Sequence, residues 1–416
     1  MTRAPRPDTP PTRCSVASGT QPAGRPAPAA GGDPAADLRA RIVLSWLVEP
    51  GHRIIHSLVE RYSATAVLDF ARAGDLPEPR LRESVAARLR AADPDRVADA
   101  ALAGAARLGA DVLTPGDDAW PAALDDLRHL ESTARDGNTR PPLLLWVRGE
   151  APRTLLGGAG VAVVGARACS PYGSHVATDL GYGLAERGWT VVSGGAFGID
   201  AAAHRGALTA GGATVAVLAC GVDRPYPSGN ASLFERILAT GLLVSEWPPG
   251  AAPHRHRFLV RNRVIAALAA GTVVVEASPR SGALATLRRA AALGRVAMAV
   301  PGPVTAATST GCHLALREEP GARLVARAAD VIEEVGRWGA DLAPLPRGRE
   351  TVLDRLPPDA AAVLEVVPPS RPAAADAVSG AAGLPVRTVL RVLPLLVDLD
   401  LVRAVDGGYV LGPRRP

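Results

Sequence analysis

Between His254 and Arg263 the sequence reads HRHRFLVRNR, which gathers Arg255, Arg257, Arg261 and Arg263 with two histidines and no acid. A guanidinium is planar, permanently charged and able to fork onto two phosphate oxygens. Such a cluster, with Phe258 available to stack on a base, points to an anion site rather than to helix capping or a solvated loop. Three more stretches carry suitable residues. In VVGARACSPYG, Gly165 permits a tight turn and Arg167 can grip a phosphate. In SGGAFGID, Gly194, Gly195 and Gly198 let backbone approach a ligand, and Asp200 and His204 share a helix face at i, i+4. That glycine pattern is weak alone, because many strand-to-helix turns favour glycine. In VVVEASPRSGALAT, Ser281 and Gly282 offer N–H groups at the start of a helix.

Other chemistry is excluded or poorly supplied. All 46 basic positions are arginine, so no Walker A, Schiff-base or catalytic lysine exists. The acids able to reach these loops are Asp200 and Glu276, and Asp200 fits a helix cap equally well. No Ser–His–Asp spacing or HExxH motif occurs. His254 and His256 lack a third ligand nearby, so neither a metal nor a cofactor is expected. The four cysteines are scattered with no CxxC pair, which argues against a zinc ribbon or disulfide scaffold and fits a reducing cytoplasm.

These residues need a scaffold. Short β-branched runs at 161–164, 190–193, 214–218, 242–245, 272–276 and 297–300 alternate with helical stretches at 175–187, 201–210, 232–239, 261–269 and 283–293. Alternation on this scale predicts an α/β domain with a doubly wound parallel sheet over 151–340. Ligands of such sheets bind beyond the carboxyl ends of the strands, where all four stretches fall. Residues 1–36 hold eight prolines and almost no large apolar side chain, so they read as a disordered tail. A helical module follows over 37–110, with helices parted at Pro50-Gly51. That break resembles a helix-hairpin-helix turn onto a DNA phosphate, although a plain packing turn fits better without the second glycine. Residues 111–150 and 341–350 read as linkers. Over 351–416, three helices and a hairpin around Gly407-Gly408 follow the winged-helix order. At 416 residues, 47% hydrophobic and 21% charged, the chain has the balance of a multidomain globular protein. No apolar run approaches the roughly 20 residues of a membrane span, and the N-terminus lacks a signal-peptide core. A cytoplasmic protein without a membrane partner is expected.

The ordered motifs VAVVGARACSPYG, VVSGGAFGIDAAAH, TVAVLACGVDRPYP, GLLVSEWPPG, RNRVIAAL, VVVEASPRSGALAT and GRVAMAVPG resemble the DNA-processing protein A (DprA/Smf) family from about Asp37 to the end. The resemblance implies an extended Rossmann-like domain with an N-terminal helical module and a C-terminal winged helix. It implies a homodimer that binds single-stranded DNA and passes it to the RecA recombinase, protecting incoming DNA in natural transformation. Carried over, Arg167 is a phosphate contact, Ser193, Gly194, Gly195, Phe197 and Gly198 form the pocket, and Arg261, Asn262 and Arg263 match the family's RNR. Phe197 stands where many members have Arg, Ser228 where Lys is frequent, and His313 where Asn is usual; Pro394 interrupts the recognition helix of the winged module. Two other readings stay open. One is a LOG-like nucleotide phosphoribohydrolase, although Arg288 and Arg289 follow Ser281–Leu287 where that signature needs a glutamate. The other is a nucleotide-sensing regulatory DNA-binding protein acting through the winged module.

Overall fold

The computed structural model describes residues 33–130, 138–337, 341–343 and 352–413. They form two compact units divided after Ala343. Most of the expected N-terminal tail lies outside the described residues, but its boundary shifts: α1 (Pro34–Leu47) already begins at Pro34. Asp33 caps it by accepting from the Ala35 amide at 3.0 Å, and proline suits a first helical turn that needs no N–H donor. Four more helices follow: α2 (Arg53–Arg61), α3 (Ala64–Ala73), α4 (Pro79–Ala91) and α5 (Pro94–Leu108). Their apolar faces, with Ile42, Leu44, Leu47 and Val67, share one core with Trp146, Ala216 and Leu243 of the sheet. The helical region is therefore part of the first unit. The buried Pro50-Gly51 turn faces inward, which removes the helix-hairpin-helix reading.

The sheet follows in chain order: β1 (Asp111–Leu113), β2 (Leu145–Arg148), β3 (Gly160–Val164), α6 (Pro171–Glu186), β4 (Thr190–Ser193), α7 (Ile199–Thr209), β5 (Thr214–Val217), α8 (Ala231–Thr240) and β6 (Leu242–Ser245). It continues through α9 (Arg255–Ala267), β7 (Gly271–Val274), α10 (Gly282–Ala292), β8 (Val296–Ala299), α11 (Thr310–Glu318), β9 (Arg323–Leu324) and α12 (Ala328–Val335). Among the described residues these strands make one nine-stranded sheet, ordered β1-β2-β6-β5-β4-β3-β7-β8-β9. β3 to β9 run parallel, β2 pairs antiparallel with β6, and β1 pairs antiparallel with β2. This is a Rossmann-like α/β architecture.

Both faces are covered, so the strands are apolar at nearly every position. Ala162 and Val164 of β3 pack with Val264 and Leu284 of α9 and α10, whereas Val161 and Val163 pack with Leu180 and Ala203 of α6 and α7. The strand order turns around at β3, with β4 on one side and β7 on the other, and the loops leaving β3 and β7 open a crevice there. Residues 111–150 are not a linker, because they supply β1 and β2. Strands of three or four residues carry too little alternation to read, and β2 takes its place only by pairing Trp146 with Ser245.

The second unit holds α13 (Pro358–Val366), α14 (Ala375–Ala382), α15 (Val386–Asp398), β10 (Val402–Val405) and β11 (Gly408–Leu411), around a core that includes Val363, Val389, Leu393 and Leu396. Pro394 does not interrupt α15. It lies on the exposed face with Leu390, so the Leu390 carbonyl that loses its donor sits on the solvent side. No single helix among the described residues is long and apolar enough to cross a membrane.

Candidate nucleic-acid interface

The arginine-rich stretch does not form one surface. Sequence periodicity starts its helix at Arg261, but α9 begins at Arg255. On a helix, residues two apart point roughly 160° away from each other, which parts Arg255 from Arg257 and Arg261 from Arg263; Arg257 and Arg261, four apart, share a side and are told apart by their partners. Arg263 is fully buried against the 3%-exposed Glu246, donating from both Nη atoms at 2.6 and 2.7 Å. Its Nε donates to the Arg140 carbonyl at 2.9 Å. Gly51, at φ 77°, presses on the same guanidinium, and a Cβ there would sit 2.7 Å from Nη2. Arg261 donates to the Gly194 carbonyl at 2.9 Å and to the Val217 carbonyl, pinning the ends of β4 and β5. Burial pushes its pKa down to about 10, against the opposing pull of Asp200, so it stays charged at neutral pH. Arg257 donates to Glu49 at 2.8 Å and lies 5.3 Å from the Trp247 ring centroid. Burial favours the neutral Glu49, but hydrogen bonds from Arg257 and Trp247 outweigh it and hold the carboxyl below its ordinary range. The phosphate role expected of Arg257, Arg261 and Arg263 is therefore corrected: all three hold the structure together.

Exposed guanidiniums remain at Arg167 and Arg255. Arg167, in the loop after β3, sits 4.8 Å above the Phe258 ring. Phe258 leans on Tyr226, with ring centroids 5.8 Å apart. Phe197, 49% exposed, packs near Gly229, and Tyr226 is 45% exposed. Large aromatic rings left this open cost apolar hydration, and Arg167 above the half-buried Phe258, with Tyr226 beside it, makes a platform for flat, anionic ligands. Sequence reasoning missed Tyr226, although it lies inside the quoted VDRPYP motif. It also missed Arg280, which is exposed on the turn before α10 with no ion pair among the described residues.

The glycine loop is turned largely inward. Ser193 is buried and donates to the Val163 carbonyl at 2.6 Å. Gly194 is wedged against Arg261, where a Cβ would lie 2.4 Å from Nη2, and Gly195 backs onto Phe234. The Gly194 amide donates to Asp200 at 3.1 Å, so Asp200 closes its own loop. Burial raises the Asp200 pKa, while Arg261 and the loop amides pull it back. Gly165 and Gly198 allow the turns after β3 and β4 to touch: Ile199 donates its amide to the Ala166 carbonyl at 3.2 Å. Of this loop, Ala196, Phe197 and Gly198 reach the surface.

The remaining groups are positioning devices. Glu276, 1% exposed, accepts from the Ser170 amide at 2.8 Å, the Ser170 hydroxyl at 2.6 Å and the Thr308 hydroxyl at 3.0 Å. It ties the loops after β3, β7 and β8 into one rim. Ser281 caps α10 by accepting from the Ala283 amide at 3.2 Å, and Asn262 donates to the Gly282 carbonyl at 3.4 Å. His204 does not join Asp200. It meets Thr214 at 2.8 Å, and because the Thr214 hydroxyl donates to the Val191 carbonyl, the ring must supply its Nδ1–H.

Residues 111–336 match the family model for DNA recombination-mediator protein A. A relative from Mycobacterium tuberculosis named as a DNA processing protein DprA is 43% identical over 381 residues, covering 91% of this chain and 94% of that one. DNA processing protein DprA of Streptococcus pneumoniae is 44% identical over 193 residues, covering 46% of this chain and 67% of that one. An X-ray structure of DprA from Streptococcus pneumoniae superposes with a TM-score of 0.58 at 32% identity, covering 72% of this chain and 96% of that one.

Proposed function

This chain belongs to the DNA recombination-mediator protein A family, and from that we propose that it binds single-stranded DNA on the Arg167–Phe258–Tyr226 surface. The observation that carries the reading is the exposed guanidinium stacked on an aromatic ring, with a second ring beside it. Phosphates go to Arg167 and Arg255, and unpaired bases to the rings. Binding built from backbone charge and stacking is tolerant of sequence and needs bases freed from pairing. In this reading the protein is a mediator and not an enzyme. Glu276 is enclosed by three donors and Asp200 closes its own loop, which leaves neither free as a general acid or base. RecA as the recipient of the strand, and a homodimer as the working form, belong to the same proposal on the strength of the family resemblance.

A fluorescence titration tests it. Oligothymidylate is expected to bind more tightly than a duplex of equal length, and both Arg167→Ala and Phe258→Ala to weaken the single-strand complex. Equal or tighter duplex binding would overturn the reading, as would protein-dependent release of ribose phosphate from a nucleoside monophosphate.

A further inference from the structure

A second recess lies beside the first turns of α9, an open cleft of about 460 Å³ whose walls include Trp46, Arg88, Trp247, Pro248, His254 and Arg257. Cavities of this size hold small organic ligands. We propose that this cleft is a second nucleotide subsite, taking an unpaired base against Trp46 and a phosphate on Arg88 from the same DNA strand; the proposal rests on the single-strand reading above.

Continuity is the first argument. Trp247 lines the cleft, and Phe258, the ring beneath Arg167, packs against the small apolar cluster of Ala219, Trp247 and Val260. One wall thus runs from the cleft to the aromatic platform. Exposed His254, Arg255 and His256 stand on the segment between them, so a strand crossing from one recess to the other meets no acid there. Charge is the second argument. The acid in the cleft, Glu49, is already engaged by Arg257 at 2.8 Å, the Trp247 indole N–H at 3.1 Å and His256 at 3.5 Å. Arg88 donates to the Trp46 carbonyl and meets no carboxylate among the described residues, so its positive charge is uncompensated. Chemistry is the third. Trp46 is half-buried, packs against the helical core and lines the cleft together with prolines and alanines, so an indole stands in a largely apolar wall, which suits a flat ring better than a hydrated ion. An acidic peptide would satisfy the charge equally, but the shared wall with the Arg167 platform favours the nucleic acid.

The test is the length dependence of oligothymidylate binding to the full chain. Strands of about 4 and about 16 nucleotides bracket single-strand site sizes. Trp46→Ala is expected to weaken the longer strand by roughly ten-fold, the order of one lost stack, and Arg88→Gln to weaken it with a log K against log salt slope smaller by about 0.7, one phosphate's worth; both leave the shorter strand unchanged. Trp46→Phe, which keeps a ring, restores most of the loss. Arg167→Ala weakens both lengths. Unchanged binding of the longer strand in both cleft variants, with Arg167→Ala still effective, overturns the second subsite alone. Unchanged binding in all three variants overturns the subsite and the single-strand reading together. Capture of a synthetic Asp/Leu peptide that is lost in Trp46→Ala, with oligothymidylate binding intact, assigns the cleft to a protein and also overturns it.

Discussion

Arg263 and Arg167 show one side chain in opposite uses. Arg263 is fully buried and its partner Glu246 is 3% exposed, so removing the guanidinium strands a carboxylate in a dry site. Arg263→Ala is expected to lose about 3–5 kcal/mol of stability by urea unfolding and to leave the salt slope of DNA binding unchanged. Arg167→Ala is expected to do the reverse: an unaltered melt, and a log K against log salt slope smaller by about 0.7, one single-strand phosphate's worth. The buried histidines set an acid limit. Burial pushes His204 from the ordinary 6.5 to about 3, and His56 to about 4. Both are neutral in the fold, and the unfolded chain binds protons first as pH falls. Their stability contribution is therefore complete above about 6.5 and is lost toward pH 4 and below. A melting temperature that falls from pH 7 to pH 5, with a shallower fall in His204→Asn, is the expected result. Asn keeps a donor to Thr214 and cannot charge.

At the scale of elements, α9 joins separate parts of the first unit, because its first turns face three environments. Arg257 ties it to the segment after α1, Phe258 offers a ring to Arg167, and Arg261 clamps the ends of β4 and β5. The Pro50-Gly51 turn is its counterpart on the helical side. Gly51 is left-handed at φ 77° and lies against Arg263, so any side chain there is strained and also displaces the guanidinium. Gly51→Ala is expected to cost at least about 1–2 kcal/mol, the penalty of a left-handed L-residue, read as a lower urea midpoint. An unchanged midpoint would mean that the turn relaxes freely and that the contact with Arg263 is incidental.

At the scale of the whole molecule, a net charge of +5 over 416 residues is too small to hold DNA by bulk attraction, so placement decides. Arg167, Tyr226, Arg255 and Phe258 all belong to the first unit, and the second unit has a core of its own. A chain ending at Ala343 is expected to melt cooperatively and to bind oligothymidylate as the full chain does. A marked loss of affinity would show that the second unit contributes contacts. The outward stripe of α15, with Leu390, Pro394 and Leu395 beside Arg387 and Arg391, offers few groups that read base edges.

The amino-acid sequence by itself determined the parallel sheet, because strands buried on both faces must be apolar throughout and their runs stand out between helices. It also determined the family and the loops that reach the crevice, since motif order and strand-end position are local properties. Partners were beyond it. Arg257 meets Glu49 across 208 positions, and β2 finds its register against β6. Four arginines close in sequence looked like one cationic site, but helical geometry spread them around an axis and burial then divided them between carboxylates, carbonyls and solvent. Tertiary structure alone decided which guanidiniums stay exposed, because a charge does its work through what it faces, and what it faces is brought from far along the chain.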